Sequence, residues 1–322
     1  MSITTPFPPT VTALITPTLL TSLFTLEIPW PKSTPPTAPQ WSAPHSSPAA
    51  YKPLCWPALL ALSTIPLPAT KTLNWFTLLP APTDPAFPIQ AVGLTILLDQ
   101  APRHLCTHAH ERWRNAFFDP LALSLTLALR KLPASSSIHD RPRWQQQGWS
   151  MPHFQALSNF LAAPLAHAEL LAVHTALLLP EVAARRRLLE TYYAVRDSWH
   201  GTALATSATA TAEFARLFAA AVPAVEVADT AFWWCRVLEA HTPILRAFGR
   251  YPYRNRAMGR VSTPAEVLFL EQTGDFGVGV GEGDAEGVRR DVEGGVWTAL
   301  GDGEGEGLGW KVKMGKGREG AV

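Results

Sequence analysis

The chain has 322 residues, of which 47% are apolar and 16% charged, and its net charge of +1 supplies no general field to attract nucleic acid, so any basic site must be local. Its three cysteines, Cys55, Cys106 and Cys235, are widely spaced and form no Cys-x-x-Cys pair, which argues against a disulfide framework or a zinc knuckle and for a reducing, cytoplasmic compartment. The length allows two domains, but the uneven composition predicts one folded domain with biased ends: a Pro-rich, mostly irregular segment 1–70, a helical domain 71–276 and a Gly-rich disordered tail 277–322.

Nineteen of the 30 prolines precede residue 90, and the run from Pro31 to Pro57 predicts broken structure because proline removes helical hydrogen bonds. Val11 to Ile28 is apolar but short for a membrane span and lacks the basic flank of a signal peptide, so no membrane span is expected. Leu54 to Leu62 and Leu73 to Leu79 should lie against the domain, anchored by Trp56, Trp75 and Phe76. Pro88 then opens a helix that is apolar almost all round, hence central, and that should stop before Pro102. Asp99 sits near its end, where helix carbonyls are already negative, so a cation must answer it.

His104, His108 and His110 follow in a spacing that matches no metal-ligand pattern and reads as a solvated stretch; no metal or cofactor is expected. Asp119 and Pro120 predict an N-cap and first helical residue, followed by alternating leucines. Pro133 to Gly148 reads as a polar linker. In Pro164 to Leu179, His167, Leu170, Leu171, His174 and Leu178 recur at helical spacing on one inward stripe, with Glu169 turned away from His167. Glu181 to Trp199 forms a further helix, Gly201 to Thr211 a loop and Glu213 to Ala221 a short helix. Asp229 caps the helix leading to His241, and Pro243 predicts a kink or break there.

Arg246, Arg250, Arg254, Arg256 and Arg260 then crowd a loop punctuated by Gly249, Pro252 and Gly259. It closes at Thr263-Pro264-Ala265-Glu266, a capping box. From Gly274 onward lie 16 of the 21 glycines, too little apolar surface to offset ordering entropy.

Four ordered segments, Gly93 to Arg103, Phe118 to Leu123, Pro164 to Glu169 and His241 to Arg260, resemble the family called domain of unknown function 924. In that family the segments look like Leu-Leu-Asp-Gln-Phe-Pro-Arg, His-Ser-Glu and Phe-Gly-Arg-Phe-Pro-His-Arg-Asn. The resemblance implies an all-α array of helix hairpins similar to tetratricopeptide-repeat-like folds, with no established biochemical role. No repeat of that type is visible in the chain itself. Tyr253 stands where the common pattern has histidine, His174 where it often has glutamine, and the Pro-rich segment replaces amino-terminal aromatic helices. The long chain with biased ends looks more like a fungal than a bacterial member.

The residues so brought forward as a candidate ligand-binding centre are Asp99, Gln100, Arg103, His167, Glu169, His241, Arg250, Tyr253, Arg254, Asn255 and Arg260. Guanidinium groups and asparagine suit an anionic small molecule or an acidic peptide end, provided positive charge is left over after internal pairing. The same residues fit a hydrolase with His167 or His241 as general base and Asp99 or Glu169 orienting it, although no nucleophile stands out. They also fit an arginine network that only ties helices together.

Overall fold

A helix that is apolar on every side must be enclosed, and the helix Phe87–Leu105 is: Ala91, Leu94, Ile96, Leu97 and Leu98 are all fully buried. The computed structural model describes residues 5–43, 46–201, 208–301 and 311–312. Among them the fold is all-α, apart from an isolated parallel bridge between Thr5 and Leu73 and an antiparallel pairing of Trp297–Thr298 with Lys311–Val312. Pro102 does not stop the central helix. It lies inside the last turn, and its carbonyl accepts from the Cys106 amide at 2.8 Å.

The expectation of a mostly irregular first seventy residues is overturned. Helices occupy Pro9–Leu14, Pro17–Glu27, Ala38–Ser42, Pro48–Ser63 and Leu67–Thr70, each with proline in its first two positions. There the missing N–H costs nothing, because first-turn amides have no partner within the helix. Thr16, Thr37 and Ser47 cap three of these starts through their side chains. The proline density therefore marked helix starts. Pro53 and Pro57, inside the Pro48–Ser63 helix, are held there by a helix whose Tyr51, Cys55, Leu59 and Leu62 are fully buried.

Gly93 explains how this segment reaches the centre. A Cβ at that position would lie 2.0 Å from the carbonyl oxygen of Leu20, so only glycine lets the Pro17–Glu27 helix pack directly on the central helix. Leu20, Leu23 and Phe24 join the core that continues through Trp113, Phe118 and Leu161 to Leu300. A second cluster gathers Phe214, Trp233, Ile244, Tyr251 and Phe269.

The Pro133 to Gly148 stretch is partly helical, at Ala134–Ser136 and Arg141–Gln146, and Trp144 is fully buried with its indole N–H donating to Ile138 O at 2.8 Å. The single helix expected over Pro164 to Leu179 is replaced by two. Met151–His167 ends at His167, and the chain restarts at Leu171–Val173, passes a π-turn His174–Leu178 and continues as Leu179–Tyr193. Leu170 and Leu171 are exposed, so the expected stripe does not exist as one face. Pro180 opens rather than ends a helix, and Arg185 and Arg186, expected on a solvated face, are buried. The helix Ala208–Ala219 begins before Glu213, and 202–207 of the expected loop lie outside the described residues.

Val227–Phe248 runs unbroken with Pro243 inside it, so the expected break near His241 does not occur, and Gly249 ends it in a left-handed conformation with φ 71°. The capping box at Thr263 forms as expected, the Thr263 amide donating to Glu266 at 2.7 Å and the Glu266 amide to Thr263 at 3.3 Å.

The tail is corrected for residues 277–301: it carries the helix Glu282–Glu293 and returns to the core through Trp297. Trp113 Nε1 donates to Thr298 O at 2.7 Å, and the Arg112 guanidinium lies 4.2 Å over the Trp297 ring. Buried aromatic area and these main-chain contacts supply what composition does not show. The rest of the expected disordered tail, apart from 311–312, lies outside the described residues.

Candidate functional site

The last turn of the central helix, the end of Met151–His167 and the loop after Val227–Phe248 meet around Asp99, which is fully buried. Asp99 accepts three side-chain hydrogen bonds: from His167 Nδ1 at 2.8 Å, from Gln100 Nε2 at 2.5 Å and from Arg103 Nη2 at 3.3 Å. Burial by itself raises the carboxyl pKa, but in the acid range where Asp99 titrates the attraction of His167 and Arg103 and the hydrogen bonds from His167 and Gln100 outweigh it and hold Asp99 at about 2.

An ionised Asp99 only accepts, so the proton of neutral His167 is on Nδ1 and its Nε2 carries a lone pair. Burial and the nearby Arg103 keep the imidazole pKa below its usual value, against the pull of Asp99, so the ring is neutral at pH 7. No hydrogen bond to Nε2 is made among the described residues, and the side chain is 18% exposed. The ring of His241 stands 5.9 Å away. His241 is buried and donates from Nδ1 to Val237 O at 2.9 Å, and burial beside His167 pushes its pKa well down.

His174 completes a third fixed tautomer. Its Nε2 donates to Ala168 O at 3.1 Å and its Nδ1 accepts from the Thr242 hydroxyl at 3.1 Å. The Tyr251 hydroxyl donates to Ala166 O, so the break after His167 is satisfied from two directions. Tyr253 stacks on Tyr251 with ring centroids 5.3 Å apart, and burial raises its hydroxyl pKa.

Four of the five arginines expected in this loop are each answered by a carboxylate, while Arg246 lies exposed in the last turn of Val227–Phe248. Arg254 Nη1 pairs with Asp119 at 3.2 Å, and Arg260 Nη1 with Glu169 at 2.8 Å. Arg250 grips Glu266 with two bonds of 2.6 and 2.8 Å, and Arg256 meets Glu282 at 2.6 Å. Glu169 also accepts the Tyr251 amide at 2.9 Å, so it faces the loop as its orientation away from His167 requires.

The structure thus brings Asp99, Gln100, Arg103, His167, His241, Glu169, Tyr253, Arg254 and Arg260 around one centre. It places Arg250 on the Pro264–Gln272 helix start instead, and Asn255 in its own turn, where Nδ2 donates to Ser262 Oγ at 3.0 Å. Glu239 pairs with Arg186 rather than with the loop.

Asp119, expected as an N-cap, is part of this centre instead. A π-turn Arg114–Phe118 runs directly into the helix Asp119–Leu129, so Asp119 is the first residue of that helix and caps nothing. Its carboxylate instead receives Arg103 at 2.9 Å and Arg254 at 3.2 Å, joining the two motifs. The aspartate-proline pair was the available signal, and capping was the commoner use of it.

A family model described as bacterial protein of unknown function, DUF924, matches residues 78–274, more than half of the chain. The chain belongs to the DUF924 family. Every residue of the polar centre, from Asp99 to Arg260, falls inside the DUF924 region, whereas the Pro17–Glu27 helix packed on Gly93 lies outside it. Comparison with curated proteins and with solved structures returns no match. Among the described residues no helix is long and apolar enough to cross a membrane.

Proposed function

We propose that the polar centre is a general-base site of hydrolase type, with His167 as the base and Asp99 as the group that orients it. The observation that carries this reading is the contact of 2.8 Å between His167 Nδ1 and the ionised, fully buried Asp99, which leaves Nε2 as the basic nitrogen on a side chain 18% exposed. A neutral imidazole held in one tautomer is ready to take a proton from water or a substrate hydroxyl, and the carboxylate stabilises the imidazolium that forms. Arg103 and Arg254, both tied to Asp119, then serve as positioning residues.

Binding of an anionic small molecule or an acidic peptide is the weaker reading, because Arg250, Arg254, Arg256 and Arg260 each already hold a carboxylate and an incoming anion has to displace one. The same pairing favours a purely structural network as the second reading.

Turnover of ester, phosphoester and amide panels by the full chain, compared with His167→Gln and Asp99→Asn, separates the two. The general-base reading expects turnover of at least one class, reduced by about 100-fold or more in His167→Gln at retained helicity. Absence of turnover in every class, or turnover that survives His167→Gln, leaves the structural network.

A further inference from the structure

The alternating leucines of the helix Asp119–Leu129 are not all used by the core. On a helix they divide into two rows: Leu121, Leu125 and Leu129 are at most 1% exposed, while Leu123 and Leu127 remain half-buried on the other side. Facing this second row stand Leu73, Trp75 and Phe76, and between the two walls runs a cavity of about 540 Å³. Trp75 Nε1 donates to Ser124 Oγ at 3.1 Å across the floor, so the indole is already satisfied and the walls offer an occupant mainly carbon.

The rim is different. Lys71 and Lys131 both line the cavity and are exposed, neither makes an ion pair among the described residues, and no Asp or Glu lines it. Two unneutralised ammonium groups beside an apolar slot complement one chemical class: a molecule with a hydrocarbon tail and an anionic head. The volume is that of a small-molecule site, and a few polar groups at the mouth of an apolar cleft are how such sites orient a ligand.

We propose that this groove binds a free single-chain fatty carboxylate, the tail between Trp75 and Leu127 and the carboxylate at Lys71 and Lys131. The groove shares no lining residue with the ion pairs of Asp119, and the proposal does not depend on the general-base reading.

The test is calorimetric titration of the full chain with decanoate below its micelle concentration, alongside decanol and decyltrimethylammonium. Saturable one-to-one binding of decanoate is expected, with decanol about tenfold weaker and the cation not bound. The double substitution Lys71→Gln, Lys131→Gln, on exposed side chains, weakens decanoate about tenfold at unchanged melting temperature. Leu127→Asp removes binding of both decanoate and decanol, with retained helicity checked by circular dichroism. Failure to saturate, equal affinity for decanoate and decanol, or indifference to the lysine changes overturns the proposal. Binding only to anionic vesicles, or only to an acidic amphipathic peptide, overturns it equally.

Discussion

Arg254 and Asp119 meet at 3.2 Å with both side chains only 5% exposed, and the same carboxylate holds Arg103 at 2.9 Å. One aspartate therefore joins the arginine loop to the last turn of the central helix, across a sequence separation no local rule covers. Burying such charges is tolerable only while every partner is present, because an unpaired buried charge loses its hydration without compensation.

Removing Asp119 should consequently be severe. Asp119→Ala strands Arg254 and should destabilise the protein by about 3–5 kcal/mol, whereas Arg256→Ala, whose partner Glu282 is 80% exposed, should change stability by less than about 1 kcal/mol. Urea unfolding of the two variants measures the contrast, and equal effects would show that the Asp119 bridge is not a structural tie.

Gly93→Ala should destabilise although alanine is the better helix former. The added methyl would meet the Leu20 carbonyl at 2.0 Å, so the Pro17–Glu27 helix must shift, at a cost of about 1–3 kcal/mol that exceeds the gain of about 1 kcal/mol in helix propensity. A raised melting temperature in this variant would contradict the close packing of the amino-terminal helices.

Acid should weaken the fold before the carboxylates titrate. Burial lowers the His174 pKa from 6.5 to about 4, with the neighbouring His167 and Arg246 adding to it and main-chain acceptors opposing it. Between those values the unfolded chain takes up a proton that the folded chain refuses. Stability is thus complete above about pH 6.5 and falls as pH drops toward 4, by up to about 1.4 kcal/mol per pH unit for this histidine. Asp99, held at about 2 against an ordinary 3.8, adds a separate loss only in the lower window between those two values. Denaturant unfolding across pH 7 to 4 should show the slope, and His174→Gln should make it shallower, leaving the part due to His241 and His167, whose pKa values burial also lowers.

The state of the His167 ring is open to direct observation. Nitrogen NMR should find its proton on Nδ1 at pH 7, and Asp99→Asn should move its pKa further down, since the carboxylate charge is what partly offsets burial and Arg103. An upward movement, or a proton on Nε2, would contradict the orientation on which the general-base role depends.

The features that could be read along the chain are local ones. The apolar run from Ile89 to Leu98 required a buried central helix, Thr263 to Glu266 required a capped helix start, and the four ordered motifs identified the family. These follow from periodicity, capping chemistry and motif order, which are properties of neighbouring residues. The candidate centre was partly legible for the same reason: Asp99 near a helix end needed cations, and the arginines were visible in one loop. Which groups answer it was not. Arg103 and His167 reach Asp99, while Arg254 goes to Asp119 and Arg250 to Glu266. Composition misled at both ends of the chain, since prolines in first turns are compatible with helices and a Gly-rich tail can be held by a few buried side chains such as Val288, Trp297 and Leu300. These outcomes lie beyond any local rule, because pairing between distant charges and the burial of short amphipathic pieces depend on which surfaces meet, and that geometry is set by packing around the central helix rather than by spacing along the chain.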